Sequence, residues 1–144
     1  MDIERAIEVA LQAHKGQRDK GGAPYILHPL RVMLGTRTHD EQVVAVLHDV
    51  VEDSAWSLDE LTAYGLTPVQ AVALDALTRR SGETYEQFIT RAGKNSIGQA
   101  VKILDLRDNM DLSRIPHPSA ADRRRIEKYQ RALTALVDNG SGDV

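Results

Sequence analysis

Four side chains in one short run carry most of the chemistry open to this sequence. His48, Asp49, Glu52 and Asp53 fall within Leu47–Ser54, and each can ligate a cation or move a proton. In a helix, neighbours three and four residues apart share a face, so His48 stands beneath Glu52, and Asp49 beneath both Glu52 and Asp53. The preceding residues, Val43 to Leu47, are uniformly apolar and read as buried. A charged cluster at the end of a buried helix costs free energy unless something compensates it, and a divalent metal is the simplest compensation. The chain has no cysteine. That excludes disulfides, zinc–thiolate sites and a thiol nucleophile, and leaves imidazole and carboxylate as ligands.

Further candidate ligands are His14, His28, His39, Asp105, Asp108 and His117. His28 stands at the head of a predicted helix, immediately before Pro29. Asp105 sits among Ile103, Leu104 and Leu106, so it points into the structure or into a pocket, where a lone carboxylate needs a partner. Two histidines with two carboxylates suit Mn²⁺, Fe²⁺ or Co²⁺ and leave positions for water and a phosphate oxygen. His14, His39 and His117 read as structural or surface residues. Taken alone, His28 is an ordinary helix-entry histidine, Asp105 a mid-helix acid, Asn109 a helix cap and Lys20 a loop charge.

The elements that must position these groups are helical. Asp2–Lys15 has apolar residues at three-and-four spacing and acids in its first turn, and Gly16 stops it. Gln17–Pro24, with Gly21, Gly22 and Pro24, is a charged loop. A second helix runs to about Gly35 with Pro29 in its first turn. Asp40 is the expected N-cap of a third, continuous through the acidic run. Ser57/Glu60, Thr84/Gln87 and Ser96/Gln99 fit capping boxes, and Thr67-Pro68 fits a cap followed by proline at the first helical position. These predict helices ending near Tyr64, Ala92, Met110 and Leu77 respectively. Pro116 and Pro118 break the chain before a last helix, Ala120–Val137. No stretch alternates with period two. The expectation is an all-α fold of seven or eight helices in one domain, residues 1–138, with a polar, frayed tail over 139–144.

Bulk composition narrows the partners. The chain has 144 residues, enough for one sizeable core, with 18 Lys+Arg, 21 Asp+Glu and a formal charge of −3. Such a balance argues against bulk electrostatic binding of nucleic acid or an anionic membrane. Arg123–Arg125 reads as a solvated helix face. Neither a signal peptide nor a membrane span is evident, which makes the cytoplasm the expected location. Oligomeric state is not legible.

The motifs occur in an order that identifies a family. His28, His48-Asp49 and Asp105 fit the H…HD…D pattern of the HD-superfamily metal-dependent phosphohydrolases, and Ala13-His14-Lys15-Gly16-Gln17, Pro24-Tyr25-Ile26-Leu27-His28-Pro29, Leu47-His48-Asp49-Val50-Val51-Glu52-Asp53-Ser54 and Val101-Lys102-Ile103-Leu104-Asp105 through Asn109 occur in order. Together they resemble the hydrolase domain of RelA/SpoT-type enzymes, in the form of a stand-alone small alarmone hydrolase similar to the metazoan SpoT homologue. The resemblance implies a compact HD-domain helical bundle, one Mn²⁺, and removal of pyrophosphate from the 3′ position of a nucleotide such as ppGpp or ppApp. It implies His28, His48, Asp49 and Asp105 as metal ligands and Glu52 and Asp53 as the pair that handles the attacking water. It also implies substrate contacts from Lys20 and Asn109. A substrate of this charge needs a metal to neutralise phosphate oxygen and acidify bound water.

The chain departs from that pattern in places. Asp19 stands where the family places a basic residue that stacks on the base, with Arg18 one position early. Leu106 and Asp108 stand where Arg and His are common. The metal and water chemistry is intact and base recognition is altered, so guanine and adenine both remain candidates. Other HD-type nucleotide phosphohydrolases and a metal-stabilised nucleotide-binding module without turnover are the competing classes. Tyr25 reads as packing beside the site, and Trp56 as either a lid or a packing residue.

Overall fold

The computed structural model describes residues 1–141, with side chains to residue 138. Among them are nine α-helical segments: α1 (Ile3–Ala13), α2 (Leu27–Leu34), α3 (His39–Leu47), α4 (Val50–Asp53), α5 (Leu58–Ala63), α6 (Pro68–Ala76), α7 (Tyr85–Gly93), α8 (Ser96–Asn109) and α9 (Ala120–Ser141). A 3₁₀ turn, Leu112–Arg114, joins α8 to α9, and one isolated antiparallel bridge pairs Arg18 with Pro24. The all-α expectation is borne out. The ninth segment arises because the third predicted helix is cut in two within the acidic run.

α3 is the axis. Val43, Val44, Ala45, Val46 and Leu47 are all fully buried, as a helix packed on every side requires. α1, α2, α6 and α8 pack around it. One apolar cluster joins α3 to α1, α5 and α6 through Val9, Val46, Leu61 and Leu74, and a second joins it to α2 and α8 through Val32 and Val101. α9 closes the other side of α7 and α8, with Leu136 and Ala132 against Phe88, Ile89 and Leu106.

Local capping explains most boundaries. Asp2 caps α1, and Gly16 at φ +82° provides the left-handed turn that ends it. Capping boxes form at Ser57/Glu60, Thr67/Gln70 and Thr84/Gln87. Two expected caps are elsewhere. Thr38, not Asp40, caps α3, because the Asp40 carboxylate is taken by Gln70 Nε2 from α6 at 3.0 Å. Asn95, not Ser96, caps α8, its side chain accepting from Gly98 N at 2.8 Å. α9 continues to Ser141, past the expected end at Val137; of the predicted polar tail, residues 142–144 lie outside the described residues.

Candidate metal centre

The four expected ligands come from three places: the first turn of α2 (His28), the break between α3 and α4 (His48 and Asp49), and the second half of α8 (Asp105). The break is local chemistry. The carbonyl of Ala45 accepts from the His48 backbone N–H at 3.3 Å and from His48 Nδ1 at 2.6 Å, which tightens the last turn of α3. Asp49 follows at φ −102°, ψ −2°, outside regular helix, and turns its carboxylate inward.

The side chains converge. One ligand atom each from His28, His48 and Asp49 can be chosen so that all lie within 4.8 Å of one another. Asp105 Oδ1 is 2.9 Å from His28 Nε2 and 3.2 Å from His48 Nε2. Asp49 Oδ2 is 3.0 Å from His48 Nε2 and 3.7 Å from His28 Nε2. His28, His48 and Asp105 are each at least 95 % buried.

The outer nitrogens decide what the inner ones offer. A carbonyl can only accept, so His48 Nδ1 carries the hydrogen bound to Ala45 O. His28 Nδ1 likewise donates to Asp108 Oδ2 at 2.6 Å. In the neutral rings both Nε2 atoms are then lone pairs. Two lone pairs and two carboxylates face one another in a buried space, and such a set needs a cation at its centre. Ligand atoms around a single ion bound at about 2.1 Å stand roughly 3 Å from their neighbours. The observed separations of 2.9, 3.0, 3.2 and 3.7 Å fit that spacing. The residues present therefore suit a divalent metal, with Nδ1 partners of the kind that orient ligating histidines.

The electrostatics show the same demand for positive charge at the centre, which in the metal-free chain is met by protons on the rings. Burial alone would lower the His48 pKa, yet Asp49 and Asp105 outweigh it and hold the ring well above its ordinary value. Asp105 is driven the opposite way: burial opposes its charge, but Lys102, then His48 and His28, hold it well below the carboxylate range. Lys102 donates to Asp105 Oδ2 at 2.8 Å, and Asn109 Nδ2 donates to Asp105 Oδ1 at 3.0 Å. Tyr25 Oη donates to Asp49 Oδ2 at 2.5 Å.

Glu52 and Asp53 occupy α4 at the solvent side of the cluster, and both are exposed. They differ. Glu52 Oε1 accepts from the Arg79 backbone N–H at 2.6 Å, so it is pinned toward the turn after α6. The Asp53 carboxylate has no hydrogen-bond or ion-pair partner among the described residues, and burial, then Asp49, raises its pKa.

A cavity of about 390 Å³ opens beside the cluster, reaching Tyr25, His28, Lys20, Asn109, Arg31, Arg114 and Tyr129. Lys20 and Asn109 both line it. Among the described residues Lys20 makes no side-chain hydrogen bond or ion pair, whereas Asn109 is bonded to Asp105. Asp19 does not face the cavity as a free acid: its Oδ1 accepts from Gly21 N and Ala23 N, both at 2.9 Å, and shapes the loop. A Cβ at Gly21 would strike the carbonyl oxygen of Arg114, so the loop is seated against the 3₁₀ turn. Arg18 lines the cavity with one long bond to Gly22 O at 3.4 Å. Leu106 is fully buried in the α7–α9 core, so its departure from the family pattern concerns packing. Trp56 packs beside Tyr64, ring centroids 5.6 Å apart, against the first core cluster.

Sequence reading passed over Lys102, Arg31 and Arg114, treated Tyr25 as packing, and left Asp108 without a role. A signal existed for three of them. Lys102 and Asp108 flank Asp105 at three-residue spacing, and Arg31 follows His28 by three, which places each pair on one helix face.

With this geometry established, comparison with known proteins gives a consistent result. No protein-family model matches the chain. It is 34 % identical over 143 aligned positions, covering 89 % of its length, to the "Bifunctional (p)ppGpp synthase/hydrolase RelA" of Mycobacterium tuberculosis. It is 32 % identical to a "Probable GTP pyrophosphokinase" of Mycobacterium leprae, again over 89 % of the chain. The chain is a relative of the RelA/SpoT-type proteins. A "Probable guanosine-3′,5′-bis(diphosphate) 3′-pyrophosphohydrolase" of Synechocystis is 29 % identical over 97 % of this RelA/SpoT relative. The chain spans only about a fifth of these proteins, 19, 18 and 20 % of their respective lengths. A solved structure described as a metazoan orthologue of SpoT that hydrolyses ppGpp superposes with a TM-score of 0.75. It covers 95 % of this chain and 84 % of that one at 23 % identity, which shows the fold.

Proposed function

We propose that this chain is a metal-dependent hydrolase that removes the 3′-pyrophosphate from an alarmone nucleotide of the ppGpp or ppApp type, leaving nucleoside 5′-phosphate and pyrophosphate. The observation that carries this reading is the convergent cluster of His28, His48, Asp49 and Asp105 beside a cavity whose charged lining includes Arg18, Lys20, Arg31 and Arg114. The names of the RelA/SpoT relatives supply the substrate class.

His28, His48, Asp49 and Asp105 would hold one Mn²⁺, whose chemistry is to neutralise phosphate charge and acidify a bound water. Lys102 holds Oδ2 of Asp105, which leaves Oδ1 to the cluster, and Tyr25 steadies Asp49 at Oδ2, the oxygen that faces the histidines. Asp53 is the base: its free carboxylate with a raised pKa suits taking the proton of the attacking water near neutral pH. Glu52, held by the Arg79 amide, orients that water. Lys20 offers a point charge to phosphate, and Asn109, through its bond to Asp105, stands where it can contact both ligand and substrate.

The test is a turnover screen of 3′-diphosphorylated guanine and adenine nucleotides, with Mn²⁺ and with chelator, scored for pyrophosphate. Metal-dependent pyrophosphate release is expected. Release of single phosphate alone would point to another HD-type phosphohydrolase, and tight binding without turnover to a non-catalytic module.

A further inference from the structure

Asp108 is shared between the metal cluster and the cavity wall. It lies three residues beyond Asp105 on the same face of α8. Its Oδ2 accepts from His28 Nδ1 at 2.6 Å and from Arg31 Nη2 at 3.0 Å, and its Oδ1 accepts from Arg31 Nε at 2.8 Å. Arg114 Nη2 lies 3.4 Å from Oδ1 and donates to the Asp108 backbone carbonyl at 2.7 Å. A planar guanidinium clamping both oxygens fixes the carboxylate in plane and register, which a single bond cannot do. Arg31 and Arg114 also line the cavity.

The two ligating histidines are therefore held by different means. His48 is oriented by a backbone carbonyl, that of Ala45, which no substitution removes. His28 is oriented by a side chain, itself held by an arginine that faces the cavity.

We infer that Asp108 is a positioning residue: it holds His28 with its Nε2 lone pair turned to the cluster and, through the same carboxylate, ties that ligand to Arg31 and Arg114 on the cavity wall. Without Asp108, His28 can change tautomer or rotate, and its Nε2 is no longer committed to the ion. This inference rests on the metal reading of the site, and metal affinity tests it without any need for substrate.

The experiment is calorimetric titration of the full chain with MnCl₂. D108N keeps the shape but cannot satisfy His28 and both Arg31 donors with one remaining oxygen. The expected result is a Kd for Mn²⁺ raised by about 10- to 100-fold, the effect of losing a partner that orients a ligand, with helicity by circular dichroism unchanged. R31M supplies a second route should D108N fail to fold: it leaves the His28–Asp108 bond in place but frees the carboxylate, and a smaller rise toward the lower end of that range is expected. R91M, which breaks an arginine–carboxylate clamp that shares no bond with the four ligands, must lower thermal stability and leave the Kd where it was. A Kd in folded D108N, or in R31M where D108N does not fold, indistinguishable from wild type would overturn the inference, as would an equal rise in R91M. A wild-type chain that takes up no Mn²⁺ would instead sink the metal reading itself, together with this inference.

Discussion

Two charged clusters in this molecule are built on opposite principles. At the turn between α6 and α7, Arg91 Nε donates to Glu83 Oε2 at 2.7 Å, Nη2 to Glu83 Oε1 at 2.9 Å, and the guanidinium also serves the carbonyls of Asp75 and Thr78 at 2.9 and 2.8 Å. Donors meet acceptors, and nothing is missing. At the α3/α4 break, two imidazoles and two carboxylates face one another, and each is held by a further partner that prevents it from turning away. Ala45 O and Asp108 hold the histidines; Lys102, Asn109 and Tyr25 hold the acids. The first cluster is complete without a ligand and reads as structure. The second is complete only when positive charge is supplied at its centre and reads as function. A polar cluster's own count of donors and acceptors tells the two apart, where charge content alone would not.

The contrast can be broken experimentally. The largest effect is expected at the incomplete cluster: H48A should abolish both Mn²⁺ uptake and pyrophosphate release, measured by calorimetry and a coupled assay. Retained turnover would dissolve the contrast. D53N comes next, with kcat falling by about 10² to 10⁴ as for loss of a general base, while metal binding persists. In the metal-free chain the same variant carries a stability signature. Asp53 has a folded pKa above its unfolded one, so the folded state holds the extra proton between the two values, and stability falls as pH rises through that window. D53N should therefore melt above wild type at neutral pH, with the difference vanishing below the ordinary aspartate range. In the wild type, activity should fall in acid as Asp53 takes up a proton and can no longer accept one from water.

Smaller effects distinguish the clusters by stability alone. Saturating Mn²⁺ at about 100 times its Kd should add roughly 2.7 kcal/mol to the unfolding free energy of the wild type, and the same to R91M. R91M itself should lose about 2 kcal/mol, the scale of charge-assisted bonds removed from partly buried carbonyls and a carboxylate. Chemical denaturation with and without metal measures both.

Much of this was legible in the residues. Helical periodicity and capping pairs located most of the elements, because those signals are local. The acidic run stood out because five apolar residues precede it, and the H…HD…D order named the ligands that the fold brings together. What sequence could not show came from tertiary competition. Asp40 was free to be a cap until Gln70 took its carboxylate. The third helix read as continuous because nothing in residues 39–53 reveals that the His48 ring returns to Ala45 O and tightens the chain there. Asp19 and Leu106 looked like changes in base recognition, yet one shapes its own loop and the other fills the core. Asp108 could be placed on the face of Asp105 by spacing, but its bond to His28 spans 80 residues and had no local trace.

The most direct test of the account is a Mn²⁺ titration of the intact chain by calorimetry, alongside H28A, H48A, D49A and D105A. One ion bound per wild-type chain, with binding lost or severely weakened in every variant, is the predicted result. No uptake by the wild type, or uptake that survives all four substitutions, would contradict the claim that these side chains form one cation-requiring site.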